Sequence, residues 1–219
     1  MGFFDRLPQN IPRCFRKQRG IFCDLLGAED TVAGIAQAGN DIGVVIFYDG
    51  VPIQAVFHSS SAGRTKDAAE VWGSSVPYLT AVDTPEGEGI PNYYSQVAVP
   101  AAQFRETLLA AYPTAKLAGD PTSWIGAQTI TANGNLDTVT IGGVPIKATA
   151  LRALFSLRSA TFTITPSAEE VTFFVTGYGH GVGMSQYGAN ELAKEGKSYE
   201  EILQWYYTGV TLKKIDTQT

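Results

Sequence analysis

The feature that most constrains this chain is the run Gly177-Tyr178-Gly179-His180-Gly181-Val182-Gly183-Met184-Ser185-Gln186-Tyr187-Gly188, which opens with glycine at every second position around a lone histidine. A regular strand or helix has no use for that spacing, because each glycine costs backbone entropy and brings no side chain to a core. The run is therefore expected to be a shaped loop, with backbone N–H groups and His180 facing a ligand beside a helix N-terminus. The plain alternative is a glycine-rich turn needed only for close packing.

The elements around that loop are short. Residues 42–47 and 51–57 are β-branched and aromatic runs separated by Asp49-Gly50, a hairpin signal. Gly142-Gly143 joins a second pair at 137–141 and 144–147, and strands are expected at 161–164 and 171–175. Pro100 opens a helix with Phe104, Leu108, Ala111 and Tyr112 on one face. Residues 148–157 form a second helix, with Leu151, Leu154 and Phe155 on one side. A third runs over about 185–195 and stops at Gly196, and a capping box of Ser198 and Glu201 starts a fourth. Strands with helices inserted and no βαβ rhythm predict an α+β fold of mostly antiparallel strands and hairpins with several short inserted helices. The composition shifts near residue 40, so residues 1–40 stay unassigned, as a poorly ordered or truncated segment, and 41–219 form one domain.

Composition removes several classes. With 219 residues and 44% hydrophobic content the chain can build a proper core. A net charge of −5 gives no footprint for a nucleic-acid backbone, so no nucleic-acid partner is expected. No stretch reaches the roughly 20 apolar residues of a membrane-spanning helix. The basic start, with Arg6, Arg13, Arg16, Lys17 and Arg19, is followed by no apolar segment of secretory length, so no signal peptide is visible. The two cysteines, Cys14 and Cys23, leave the redox compartment open.

The chain's only two histidines sit in two unusual loops. The first is His58-Ser59-Ser60-Ser61-Ala62-Gly63, where an imidazole and three hydroxyls stand at the end of an expected strand, as groups that fix a sugar do. An ordinary polar turn is the alternative. The second is the glycine run. Both histidines are expected to face one cleft, since a rigid scaffold presents functional groups at strand ends. Aromatic residues flank the loops, among them Trp72, Tyr78, Tyr178, Tyr187 and Trp205, and such rings stack on the C–H faces of sugars. The glycine run has no dinucleotide or P-loop register, and Ser185 lacks the second glycine of a nucleophile elbow. A serine hydrolase using Ser59 or Ser185 has no spacing to support it, and Cys14 with Cys23 lacks metal-ligand spacing.

In their order, His58 to Gly63, Val71-Trp72-Gly73, Pro77-Tyr78-Leu79, Phe155-Ser156-Leu157-Arg158-Ser159 and the final Gly177 to Gly188 run, the motifs of this chain resemble the SpoIID/LytB domain of bacterial cell-wall remodelling proteins from about residue 42 onward. The family includes a lytic transglycosylase that cuts peptide-free glycan strands during sporulation engulfment, and an amidase enhancer. The resemblance implies an extracytoplasmic or cell-wall location, glycan strands of peptidoglycan as partner, and a peptidoglycan amidase as a second one. It also implies a substrate-binding set of His58, Ser59, Ser60, Trp72, Tyr78, His180, Ser185 and Gln186.

Lytic transglycosylation needs a carboxylic acid of raised pKa as proton donor. In the family this glutamate opens an alanine-rich helix, followed in some members by a zinc-binding segment. Neither is matched here, so no cofactor is expected and the catalytic residue is unassigned, with Glu29 and Glu70 as the candidates. Three accounts stay open: a non-catalytic relative, a chain whose upstream part is lost or misread, which the low-periodicity start favours, and an enzyme with a relocated acid.

Overall fold

A computed structural model of the chain describes residues 35–38 and 42–216. Glu29, Cys14 and Cys23, with all of the first forty residues except 35–38, lie outside the described residues.

Asp49 and Gly50 both take positive φ, 51° and 77°, the pairing a tight two-residue hairpin turn requires. They join β1 (Ile42–Tyr48) to β2 (Val51–Pro52). The second arm is much shorter than residues 51–57 suggest, its last bond to the partner strand being the Ile53 N–H donating to the Ile46 carbonyl at 3.0 Å. The chain then leaves the sheet, and Phe57–His58 forms a separate strand, β3. β1 is completed on its other edges by Ile35–Ala38 and by the C-terminal strand Thr211–Asp216, neither expected from the sequence.

Two further sheets carry one large core. β4 (Tyr94–Pro100) pairs antiparallel with β6 (Glu170–Thr176), which pairs antiparallel with β5 (Phe162–Pro166). The other sheet is the meander Ile125–Ile130, Leu136–Ile141, Val144–Lys147, its second turn being the expected Gly142-Gly143. α1 (Ala101–Ala111) and α2 (Ala148–Leu154) pack on them. Pro100 ends β4 and caps α1 rather than opening it. Phe104 and Leu108 are fully buried, whereas Ala111 is exposed. Phe104 stacks on Phe155 with ring centroids 4.9 Å apart.

A second core lies under β1 and β3, built by α3 (Gln186–Lys194) and α4 (Tyr199–Tyr206) with Leu79, Val182, Met184 and the fully buried Tyr206 and Tyr207. Ser198 accepts from the Glu201 N–H while Glu201 accepts from the Ser198 N–H, so the capping box forms as expected. Among the described residues no helix is long and apolar enough to cross a membrane. The architecture is α+β with mostly antiparallel sheets.

The two cores share a connection that positions the site. β6 belongs to the first, β7 (Met184–Ser185) to the second, and the glycine run links them. β7 pairs in parallel with β3, Met184 opposite Phe57 and Ser185 opposite His58. Both histidine loops are thereby laid side by side.

Candidate functional site

Backbone contact between the two loops is closer than side chains would permit. A Cβ on Gly179 would stand 2.6 Å from the His58 Cβ, and one on Gly183 would collide with the Val56 carbonyl. Both residues have positive φ, 121° and 70°, so glycine is required twice over. Ser60 and Tyr178 exchange backbone hydrogen bonds at 3.1 and 2.8 Å, and the Lys66 N–H donates to Gly181.

His58 is buried at 4% exposure, and both ring nitrogens are engaged. Because a carbonyl only accepts, Nδ1–H donates to Val182 O at 3.1 Å. Nε2 therefore accepts from the Ser61 hydroxyl, at 2.5 Å. Burial first, then the neighbouring His180, pulls the His58 pKa from 6.5 down to about 3, so the ring is neutral. His180 stands beside it, ring centroids 5.7 Å apart, with its Nδ1 accepting from the Val182 N–H. Burial, with the Arg152 charge behind it, lowers its pKa as well.

Glu86 completes the polar cluster. Its carboxyl accepts from the Ser61 N–H at 2.7 Å and from the Ser185 hydroxyl at 3.0 Å. Burial raises its pKa from 4.5 to about 7, against the pull of these bonds. The Ser61 hydroxyl also reaches Glu86, so it stands between that carboxyl and a neutral imidazole. Ser185 itself caps α3 by accepting from the Gly188 N–H at 3.2 Å. Sequence reasoning missed Glu86. The signal was there in Thr84-Pro85-Glu86-Gly87-Glu88, a carboxylate within the long Pro- and Gly-rich stretch of residues 73–92.

Outside this buried cluster lie two accessible aromatic rings, Trp72 and Tyr178. Trp72 ends the short helix Ala68–Trp72 and is 47% exposed, with its ring 5.5 Å from that of His180. Tyr178, 40% exposed, follows on the other side of Gly179, with the Arg158 guanidinium 5.6 Å above its ring centre. Ser59 and Gln186 are half-buried beside the cluster, while Ser60 is buried.

The structure thus gathers His58, Ser59, Ser60, Trp72, His180, Ser185 and Gln186 at one place, but not all for one task. His58, Ser60 and Ser185 are buried braces, whereas Trp72 and Tyr178 are exposed and His180 is half-buried. Tyr78 stands apart: its ring packs in the second core against Tyr48, and its hydroxyl accepts from the Gln54 N–H. Glu70 is also elsewhere, its two oxygens taken by the amides of Asn133 and Asn135 at 2.9 Å each. Among the described residues no group of three or more His, Cys, Asp or Glu stands together as a metal-holding cluster.

Comparison with known proteins bears on what this arrangement is for. The chain is 37% identical over 175 residues to the "Stage II sporulation protein D" of Bacillus subtilis (strain 168), and 36% identical over 176 residues to that of Bacillus amyloliquefaciens. These matches place the chain in the SpoIID/LytB family. In both cases 80% of this chain is aligned to 49% of the relative, so the chain spans about half the length of the curated relatives it matches. The "Amidase enhancer" of Bacillus subtilis (strain 168) is 26% identical over 218 residues, covering 78% of this chain and 31% of that protein. No family model matches the chain. As a SpoIID/LytB chain it carries the first and last motifs of the order read from its sequence on the two loops that the structure brings together.

Proposed function

We propose that this SpoIID/LytB chain engages glycan strands of peptidoglycan outside the cytoplasmic membrane, laying the apolar faces of successive sugars along Trp72, His180 and Tyr178. The observation that carries the reading is that Trp72 and Tyr178 are exposed and the Trp72 ring stands 5.5 Å from that of the half-buried His180, which adjoins the buried His58. Exposed aromatic faces with a few fixed polar groups are what saccharide binding needs. The relatives named for sporulation and for amidase enhancement support a wall-remodelling role. Where a proton donor completes the site, the bound strand would be the substrate of lytic transglycosylation, the chemistry the family resemblance implies.

A second reading is favoured by the similarity to an amidase enhancer: strand binding alone, serving a peptidoglycan amidase as partner. The test of both is retention of the purified chain on peptide-free glycan strands. Trp72→Ala and His180→Ala are expected to weaken retention about tenfold, the loss of one stacking contact. No retention by the wild-type chain overturns the proposal. Stimulation of an amidase by a chain that releases no glycan product selects the second reading.

A further inference from the structure

Tyr178 also lines an open basin of about 400 Å³, together with Arg152, Ala153, Ser156, Leu157 and Arg158. Both arginines are half-buried, and among the described residues neither is paired with a carboxylate. Burying guanidinium groups without an anion is costly, and natural surfaces seldom do so without use for the charge.

The arrangement is also fixed from below. The Arg158 carbonyl accepts from the Gly179 N–H at 2.9 Å and from Arg152 Nε at 3.4 Å, so the basin's backbone is tied to the glycine run. The remaining donors of Arg152 are not spent on that contact, and the Arg158 guanidinium lies over Tyr178. Arg152 is close enough to lower the pKa of both His180 and Lys66, which makes this basin electropositive in a chain of net charge −5.

We propose that this basin is a carboxylate subsite, in which Arg158 and Arg152 hold the free carboxylate of an acidic sugar while the ring of that sugar rests against Tyr178. The inference rests on the glycan reading above and names which sugar sits at this end of the strand. Planar guanidinium donors match a planar carboxylate in bidentate geometry, and an aromatic ring alongside fits a sugar better than a bare anion. A sugar whose carboxyl is tied up in an amide would leave both cations unpaired.

The experiment compares three strands on the wild-type chain: peptide-free glycan, the same glycan with its carboxylates coupled to methylamine, and glycan still bearing stem peptides. Tightest retention of the free carboxylate form is expected, with about tenfold loss on methylamidation, the size of one charge-assisted contact. Arg158→Gln and Arg152→Gln should erase that difference while melting at the wild-type temperature, and Arg158→Lys should recover part of it. Equal retention of free and methylamidated strands overturns this inference and leaves strand binding standing. Peptide-bearing strands held as tightly as peptide-free ones assign the carboxylate to the peptide and overturn it too. No retention of any strand overturns the functional reading beneath it.

Discussion

His58 Nδ1 lies 3.1 Å from the carbonyl of Val182, although 124 positions separate the two residues in sequence. This bond fixes the tautomer of a buried, neutral imidazole and, through Nε2, the orientation of Ser61 and its neighbour Glu86. The two titratable groups at the ends of that chain are displaced in opposite senses, and that has a measurable consequence.

His58 has a folded pKa of about 3 against 6.5. The folded state therefore binds fewer protons than the unfolded chain between those values, and its contribution is complete above 6.5 and lost as pH falls toward 3. Glu86, at about 7 against 4.5, does the reverse: its contribution is complete below 4.5 and lost as pH rises through 7. Between 4.5 and 6.5 the two slopes oppose, each at most about 1.4 kcal/mol per pH unit. Glu86→Gln should unmask the histidine slope, His180 adding to it, so that the urea midpoint falls steadily from pH 6.5 to 4.5. A flat profile for that variant would refute the assignment.

Gly179→Ala and Gly183→Ala should be strongly destabilising. Positive φ alone costs about 1–2 kcal/mol for a side-chain-bearing residue, and the new methyl group must displace His58 or the Val56 carbonyl. A fall in Tm of roughly 5 °C or more is expected from a loss above 2 kcal/mol in a chain of this size. Melting within a degree of wild type would show that the loops can part without cost.

Ser198→Ala removes one half of the capping box at the start of α4. A loss of about 1 kcal/mol, or roughly 2–4 °C in Tm, should follow, with glycan retention unchanged because the cap lies away from Trp72 and Tyr178.

The fourth expectation concerns bond cleavage. General acid catalysis contributes on the order of a hundred- to ten-thousandfold, and the carboxyl at this site already accepts from Ser61 and Ser185. This chain is expected to release little 1,6-anhydro product from peptide-free glycan, measured by mass spectrometry. Abundant product that disappears in Glu86→Gln would instead make Glu86 the acid.

The readings that survived were local ones. Turn dipeptides at Asp49-Gly50 and Gly142-Gly143, the Ser198–Glu201 box and the stop at Gly196 each act within a few residues, so the sequence alone determined them. Motif order likewise sufficed for the family. Strands such as Tyr94–Pro100 and Thr211–Asp216 carried too little pattern of their own and form because a partner edge is waiting. Whether Ser60 and Ser185 would face a ligand or brace a loop was decided by the parallel pairing of β3 with β7, in which Ser185 is buried, and by the backbone bridge of Ser60 to Tyr178 beside it. The meetings of Glu86 with Ser185, 99 positions away, and of Arg152 and Arg158 with Tyr178 were equally beyond local pattern. Hydrogen bonds and charge act over a few ångströms in space, and only the folded chain sets which residues lie within that reach.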